Sequence, residues 1–311
     1  MMLLESALLL TYLTAAVRLA TPIGLAALGG VLSERSGVFN IALEGMMLSG
    51  ALAGVLGSHY LGGPWAGLLV AMMSGALVGV LLAYLSVSLG ANQIVSGVAI
   101  NLFALGITTF LARILLRPAG IEQVPAFQPV AIPILHRIPV LGPVVFGQGP
   151  LVYLMLFVAP VLTVFLFRTP WGLALRAIGE HPRAADTAGI NVSLARYAAV
   201  TASGLLAGTA GAFLSLSHLN LFTENMSAGR GFIALAAVIF GKWHPLGAIG
   251  AAFLFGAADA FQLLVQTFDL GIPYQLPVML PYVLALLAMG GLIGRSAAPA
   301  AAGTPYRAEE A

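Results

Sequence analysis

The sequence predicts an all-α polytopic membrane protein: one bundle of about nine transmembrane helices, within a range of roughly eight to ten, plus a short helix outside the bilayer. Composition is the first reason. Of 311 residues, 60 % are apolar and 8 % charged, where soluble domains average about 45–50 % and 25 %. So few charges cannot solvate the surface of a soluble protein this long, and the hydrophobicity excludes disorder. The second reason is a mean hydropathy of +1.00. The third is the stretch 45–112, which holds no charged side chain and far exceeds the ~20 residues one spanning helix needs.

The elements follow in chain order. The run at about 6–30 follows Glu5 rather than a basic leader and contains Arg18, so it reads as a span and not as a cleaved signal. The charge-free stretch breaks at Ser58–Pro64 (SHYLGGP) and Gly90–Gln93 (GANQ), where Gly, Pro and Asn mark turns. It therefore divides into spans near 39–57, 65–88 and 92–112. Further spans fall near 150–167, 196–217, 246–268 and 274–293, with a shorter segment at 229–243 between Arg230 and Lys242. No run alternates with period two, which argues against a β-barrel. The residues up to 295 form a single transmembrane domain, and the Ala/Pro-rich tail 296–311 is expected to be disordered.

Arginine and lysine placement sets the orientation. If 229–243 crosses the membrane, one side holds Arg35, Arg168, Arg176, Arg183, Arg196, Lys242, Arg295 and Arg307, and the other only Arg113, Arg117, Arg137 and Arg230. If it turns back, the Arg-rich loop falls on the poorer side. The rule favours crossing, with the loop 168–195 and the C-terminus cytoplasmic and the Pro-rich loop 113–148 external. The short crossing is then a thin or broken helix, tolerated only when buried in protein or lining a cavity.

Several function classes are excluded. A net charge of +2 gives no basic face for nucleic acid. With no cysteine, disulfides, thiolate metal sites and cysteine catalysis are absent. Gly241-Lys242 is followed by Trp243, so there is no P-loop. No HExxH or GxSxG occurs, and His59, His136, His181, His218 and His244 lack metal-ligand spacing. No cofactor is expected on this chain.

Polar residues within spans are costly and mark interior faces or pathways. Arg18, Glu44 and Asp259 are the ionisable ones. Asn40 and Glu44 stand four apart and would share a helix face, as part of a pathway or as a buried packing pair. Asn92, Gln93 and Asn101 form a second polar set, and Asn220, Glu224 and Asn225 a third; both either face a polar solute or cap helix ends. The pairs Gly50/Gly54, Gly75/Gly79 and Gly204/Gly208 allow close helix approach and read as packing within the bundle. In the loop, Thr169-Pro170 starts a helix, Gly179 ends or kinks it, Pro182 opens a second short helix, and Gly189 is placed to end that one in a left-handed cap. Such a knob is either a docking element or a plain interfacial connector.

At these residues the chain resembles a known family. Ser33–Ala51 (SERSGVFNIALEGMMLSGA) is similar to the signature of permeases of bacterial ABC importers in the ribose/nucleoside/branched-chain amino acid group. Arg176–Val192 (RAIGEHPRAADTAGINV) resembles that group's cytoplasmic loop, which seats in the ATPase subunit; Asn101–Gly106 (NLFALG) and Gly229–Gly241 (GRGFIALAAVIFG) fit as well. The form around Phe39–Gly45 is closest to nucleoside permeases, often labelled simple-sugar permeases, and departs from the INFAHG-like run of amino acid permeases.

The resemblance implies ATPase coupling through Arg176, Gly179, Glu180, Pro182, Ala185, Asp186, Gly189 and Ile190. It also implies partner ATPase subunits carrying ATP and Mg, a second paralogous permease, an extracytoplasmic binding protein or lipoprotein, and a place in the bacterial cytoplasmic (inner) membrane. Asn40, Glu44, Asn92, Gln93, Asn101, Glu224 and Asn225 are the candidates for the substrate pathway. A stand-alone ion-coupled secondary transporter is the competing class, with branched-chain amino acids the alternative substrate.

Overall fold

The computed structural model describes residues 2–116, 123–130, 141–267, 275–289 and 297–306, together with positions 118, 120, 133 and 138. Arg117, Arg137, Arg295 and Arg307 of the orientation argument lie outside the described residues. The described secondary structure is helical throughout. The main helices are α1 (Met2–Arg35), α2 (Leu43–Tyr60), α3 (Pro64–Ala83) and α4 (Gln93–Leu115). A short α5 (Leu141–Phe146) interrupts the long loop before α6 (Pro150–Arg168). The elbow comprises α7 (Pro170–Glu180) and α8 (Pro182–Thr187), followed by α9 (Val192–Phe213), α10 (Arg230–Phe240), α11 (Pro245–Thr267) and α12 (Gln275–Met289). Single π-turns, Tyr84–Ser88 and Leu214–His218, extend α3 and α9.

Local chemistry sets many boundaries. Pro64 and Pro150 occupy first-turn positions, where the missing N–H costs nothing. Asn92 and Asn191 cap α4 and α9 with side-chain oxygens that accept from backbone N–H groups two or three residues on.

Among the described residues six helices are long and apolar enough to cross a membrane: Leu8–Arg35, Pro64–Ser88, Gln93–Leu115, Pro150–Arg168, Val192–His218 and Pro245–Thr267. They divide into two classes. The windows of α1 and α9 are 89 % and 78 % buried, whereas those of α3, α4 and α6 are 33 %, 33 % and 28 % buried. Thus α1 and α9 form the interior of the bundle, and the exposed Leu69, Met73, Leu102, Phe103 and Phe157 present an apolar surface suited to lipid. The expected span at 39–57 begins later than its composition suggested. Gly37 is left-handed (φ +87°), residues 38–40 carry no regular structure and helix begins only at Leu43. Asn40 and Glu44 therefore do not share a helix face, contrary to the spacing argument.

The segment from Asn220 to Trp243 passes from one end of the bundle to the other. Asn220 O accepts from Val124 N at the end where Ser58 meets Pro125. Trp243 hydrogen-bonds Glu34 and accepts from Arg35 Nε (2.8 Å) at the opposite end. Only α10 is helical in this passage, and its 11 residues span about 16 Å, roughly half a hydrocarbon core. The segment expected to cross thus runs from one end of the bundle to the other with half a helix. It places Arg35, Arg176, Arg196 and Lys242 at a common end.

The centre is packed through glycine. A Cβ at Gly50 would lie 2.6 Å from Gly208 Cα, and one at Gly75 would strike the Gly204 carbonyl. The small-residue pairs thus serve packing of α2 and α3 on α9 within one chain. Gly75→Leu is expected to lower the thermal unfolding midpoint of the detergent-purified protein and destabilise it by about 3 kcal/mol, the upper range for overpacking because backbone is the obstacle. Gly106→Leu, at a position open to surrounding space, should leave the midpoint nearly unchanged.

Candidate functional site

Two constellations hold the singled-out residues: a polar seam in the bundle and an elbow at its end. The seam begins with Glu44, which is 8 % exposed. Its Oε1 accepts from Ser227 Oγ (2.6 Å) and Gly229 N (2.8 Å), and its Oε2 from Gly231 N (2.6 Å). These donors are the start of α10. Glu44 is therefore an N-cap supplied by another helix, placed where carboxylate charge is favoured by the helix dipole. Gly231 admits it, because a Cβ there would crowd the Glu44 backbone.

Asn101 staples the start of α2: its Oδ1 accepts from Gly45 N (2.8 Å) and its Nδ2 donates to Ile41 O (2.9 Å). Asn40 Nδ2 donates to Ser203 Oγ of α9 (2.9 Å), and Gln93 Oε1 accepts from Phe39 N (2.6 Å). The structure thus brings Asn40, Glu44, Gln93 and Asn101 to the irregular stretch 36–42 and the first turn of α2. Asn40 Oδ1 and Gln93 Nε2 remain buried without a protein partner. The rest of the polar candidates lie elsewhere. Asn92 is a helix cap. Glu224 forms a two-pronged ion pair with Arg113 (3.0 and 3.1 Å) at the far end, and Asn225 is an exposed turn residue at φ +57°.

The elbow follows its predicted local chemistry. Thr169 Oγ1 accepts from Gly172 N, Pro170 opens α7 and Pro182 opens α8. Gly189 is left-handed (φ +83°), with Ile190 N donating to Ala185 O. Gly179 neither ends nor kinks α7, which runs to Glu180. It lets α7 lie against the end of α1, since a Cβ would meet the Arg35 carbonyl. Ala185 is 2 % exposed and packs with Ile178, Val192 and Ile190, while Arg183, Ala184 and Ala188 face outward.

Arg176 folds back. Its Nε donates to Leu166 O (3.0 Å) and its guanidinium lies 4.9 Å over the Phe167 ring, which also receives Arg35 at 5.6 Å. His244 stacks on the same ring, and desolvation, aided by the Arg35 charge, holds its imidazole below the usual value.

Two participants escaped the sequence reading. Arg196 is 1 % exposed; its Nε donates to Ser36 O (3.1 Å) and its Nη1 lies 3.5 Å from Thr304 O. An arginine inside a small-residue helix start was the available signal. The second is the tail. Residues 297–306 are folded against the elbow, contrary to the disorder expected for 296–311; positions 296 and 307–311 lie outside the described residues. Ala301 N donates to Gly179 O (2.9 Å) and Tyr306 OH to Asp186 Oδ2 (2.9 Å). Ala/Pro composition concealed this because the tail contributes mostly backbone groups to these contacts. Among the described residues no group of His, Asp and Glu could hold a metal ion.

A helical bundle with lipid-suited outer helices and a helical elbow at one end is the architecture of a multi-pass membrane protein. The chain belongs to the family described as branched-chain amino acid transport system / permease component, which matches residues 12–289. It is 45 % identical over 297 residues to the guanosine ABC transporter permease protein NupQ of Bacillus subtilis, covering 92 % of this chain and 93 % of the relative. The putative glucose ABC transporter permease protein TsgC13 of Haloferax volcanii is 39 % identical, covering 86 % and 81 %. The nucleoside ABC transporter permease protein NupC of Lactococcus lactis is 37 % identical, covering 92 % and 93 %. No solved structure matches the chain.

Glu44→Ala would leave the Ser227, Gly229 and Gly231 donors unpaired in the interior. At about 1–3 kcal/mol for a buried unsatisfied group, the expected loss is roughly 3 kcal/mol, read as a lowered unfolding midpoint. Glu44→Gln, whose amide nitrogen opposes one donor, should fall between.

Proposed function

We propose that this chain is the non-catalytic permease subunit of an ATP-driven importer that carries nucleosides inward across the bacterial cytoplasmic membrane. The observation that carries the reading is end-to-end likeness to two permeases named for guanosine and nucleoside transport. The family title mentions branched-chain amino acids, but the Phe39–Gly45 run departs from their pattern. Glucose, named for one relative, is the secondary candidate.

ATP and Mg belong to partner ATPase subunits, which grip the elbow. Their closure pushes on α8 (Pro182–Thr187); the motion passes into α6 and α9, which flank the elbow, and opens a central path alternately outward and inward. A second, paralogous permease completes that path, and an extracytoplasmic binding protein or lipoprotein delivers the solute. On this reading the elbow, Lys242 and the tail are cytoplasmic. The seam supports ATP coupling over ion coupling: Glu44 is committed to capping α10 by three hydrogen bonds, so it is poorly suited to exchange an ion.

Proteoliposomes holding the chain with its ATPase, second permease and binding protein should take up labelled guanosine only with ATP inside the ATPase compartment. Excess unlabelled nucleoside should compete, and leucine should not. ATP-independent uptake by the chain alone would refute the proposal. Ala185→Trp, which cannot fit beneath α8, should preserve membrane insertion while reducing solute-stimulated ATP hydrolysis about tenfold or more, about 1.4 kcal/mol or more of lost coupling; normal stimulation would remove α8 from the mechanism.

A further inference from the structure

A lever transmits force only if its base is stiff, and α8 by itself is poorly anchored. It has six residues, and of its side chains only Ala185 is buried. The elbow must therefore borrow rigidity from elsewhere. The tail supplies contacts at both ends of α8. On the N-terminal side Ala301 N donates to Gly179 O at 2.9 Å, and Ala300 N lies 3.3 Å from Glu180 Oε2. On the C-terminal side Tyr306 donates to Asp186 and packs its ring on the cluster of Ile178, Ala185 and Val192.

The tail is itself folded. Ala302 N bonds Pro299 O, Thr304 N and Oγ1 both bond Ala301 O, and Gly303 takes a left-handed turn at φ +83°. Between these anchor points Thr304 O faces Arg196, the buried arginine that also holds Ser36 O at the end of α1. The tail thus joins α8 to the starts and ends of the two most buried helices. Desolvation and the Asp186 carboxylate both raise the Tyr306 phenol above its ordinary value, so it remains a donor through the physiological range.

We propose that residues 297–306 are a coupling strut: a C-terminal strap that fixes α8 to α1 and α9, so that force applied by the ATPase moves the bundle instead of bending the elbow. Tyr306 is its positioning residue. The inference rests on the importer reading above and assigns a role to a segment outside the family match, which ends at residue 289.

The test uses the intact transporter in proteoliposomes, with ATP hydrolysis and guanosine uptake measured together. Truncation after residue 296 should leave the ATPase subunits co-purifying and hydrolysing ATP, while uptake per ATP falls roughly fivefold or more, the low end for coupling between sites. Tyr306→Phe, which deletes one hydroxyl, should show a smaller fall in the same ratio, and restoring tyrosine should restore it. An unchanged ratio in the truncated transporter overturns the strut; if truncation prevents assembly, an unchanged ratio in Tyr306→Phe does so.

A second measurement is independent of transport. The chain has no cysteine, so Glu180→Cys with Ala300→Cys, two exposed and neighbouring positions that leave the Tyr306–Asp186 bond in place, offers the only thiols to a short bis-maleimide. Efficient cross-linking within one chain is expected, and its absence overturns the docked strap whatever the transporter carries. If the double-cysteine chain cross-links but the wild-type complex shows no ATP-dependent uptake, the importer reading is refuted, and the strut's coupling role with it.

Discussion

Inside a bilayer a helix that starts part-way across leaves its first N–H groups with no water to receive them. Helix α10 is in that position, and the Glu44 carboxylate meets its first donors with both oxygens. The rest of the architecture depends on this contact. It allows the chain to cross between residues 220 and 243 with half a helix, and it ties the start of α2 to α10. The tail beyond α12 then folds against the elbow.

The second constraint is closeness. Helices in lipid gain little from hydrophobic burial against one another, because the tails are as apolar as leucine. Backbone approach takes its place. The glycines of α2, α3 and α9 put helix backbones in direct contact, and α9 becomes the axis on which the others pack. That axis runs between both constellations: Arg196 at its start holds the elbow, and Ser203, two turns on, holds Asn40 in the seam. A displacement of the elbow therefore has a contiguous, packed route to the irregular stretch 36–42 at the start of α2.

Much of this was legible in the chain. The spans, their breaks and the caps at Thr169, Pro170, Pro182 and Gly189 are local effects of side chains on their own backbone, so the spacing of residues revealed them. Arginine placement favoured a crossing at 229–243, and the chain there does run from one end of the bundle to the other. Polar candidates were harder. Asn40 and Glu44 look like one helical stripe because spacing presumes helix, and the left-handed turn at Gly37 removes that premise. Asn92 could face a solute or cap a helix, and its side chain caps α4. The tail looked disordered because alanine and proline advertise no partner, yet its partners are the Gly179 and Asp186 groups more than a hundred residues away.

Sequence by itself determined the membrane class, the order and approximate limits of the helices, the elbow's internal geometry and the common side of its arginines. These depend on hydropathy, charge and interactions across a few residues. Tertiary structure alone decided that Glu44 caps α10, that Arg196 joins α1, α9 and the tail, and that the strap folds onto α8. Each of those rests on hydrogen bonds between groups distant along the chain, several of them to backbone atoms, and a backbone acceptor or donor has the same signature in every sequence.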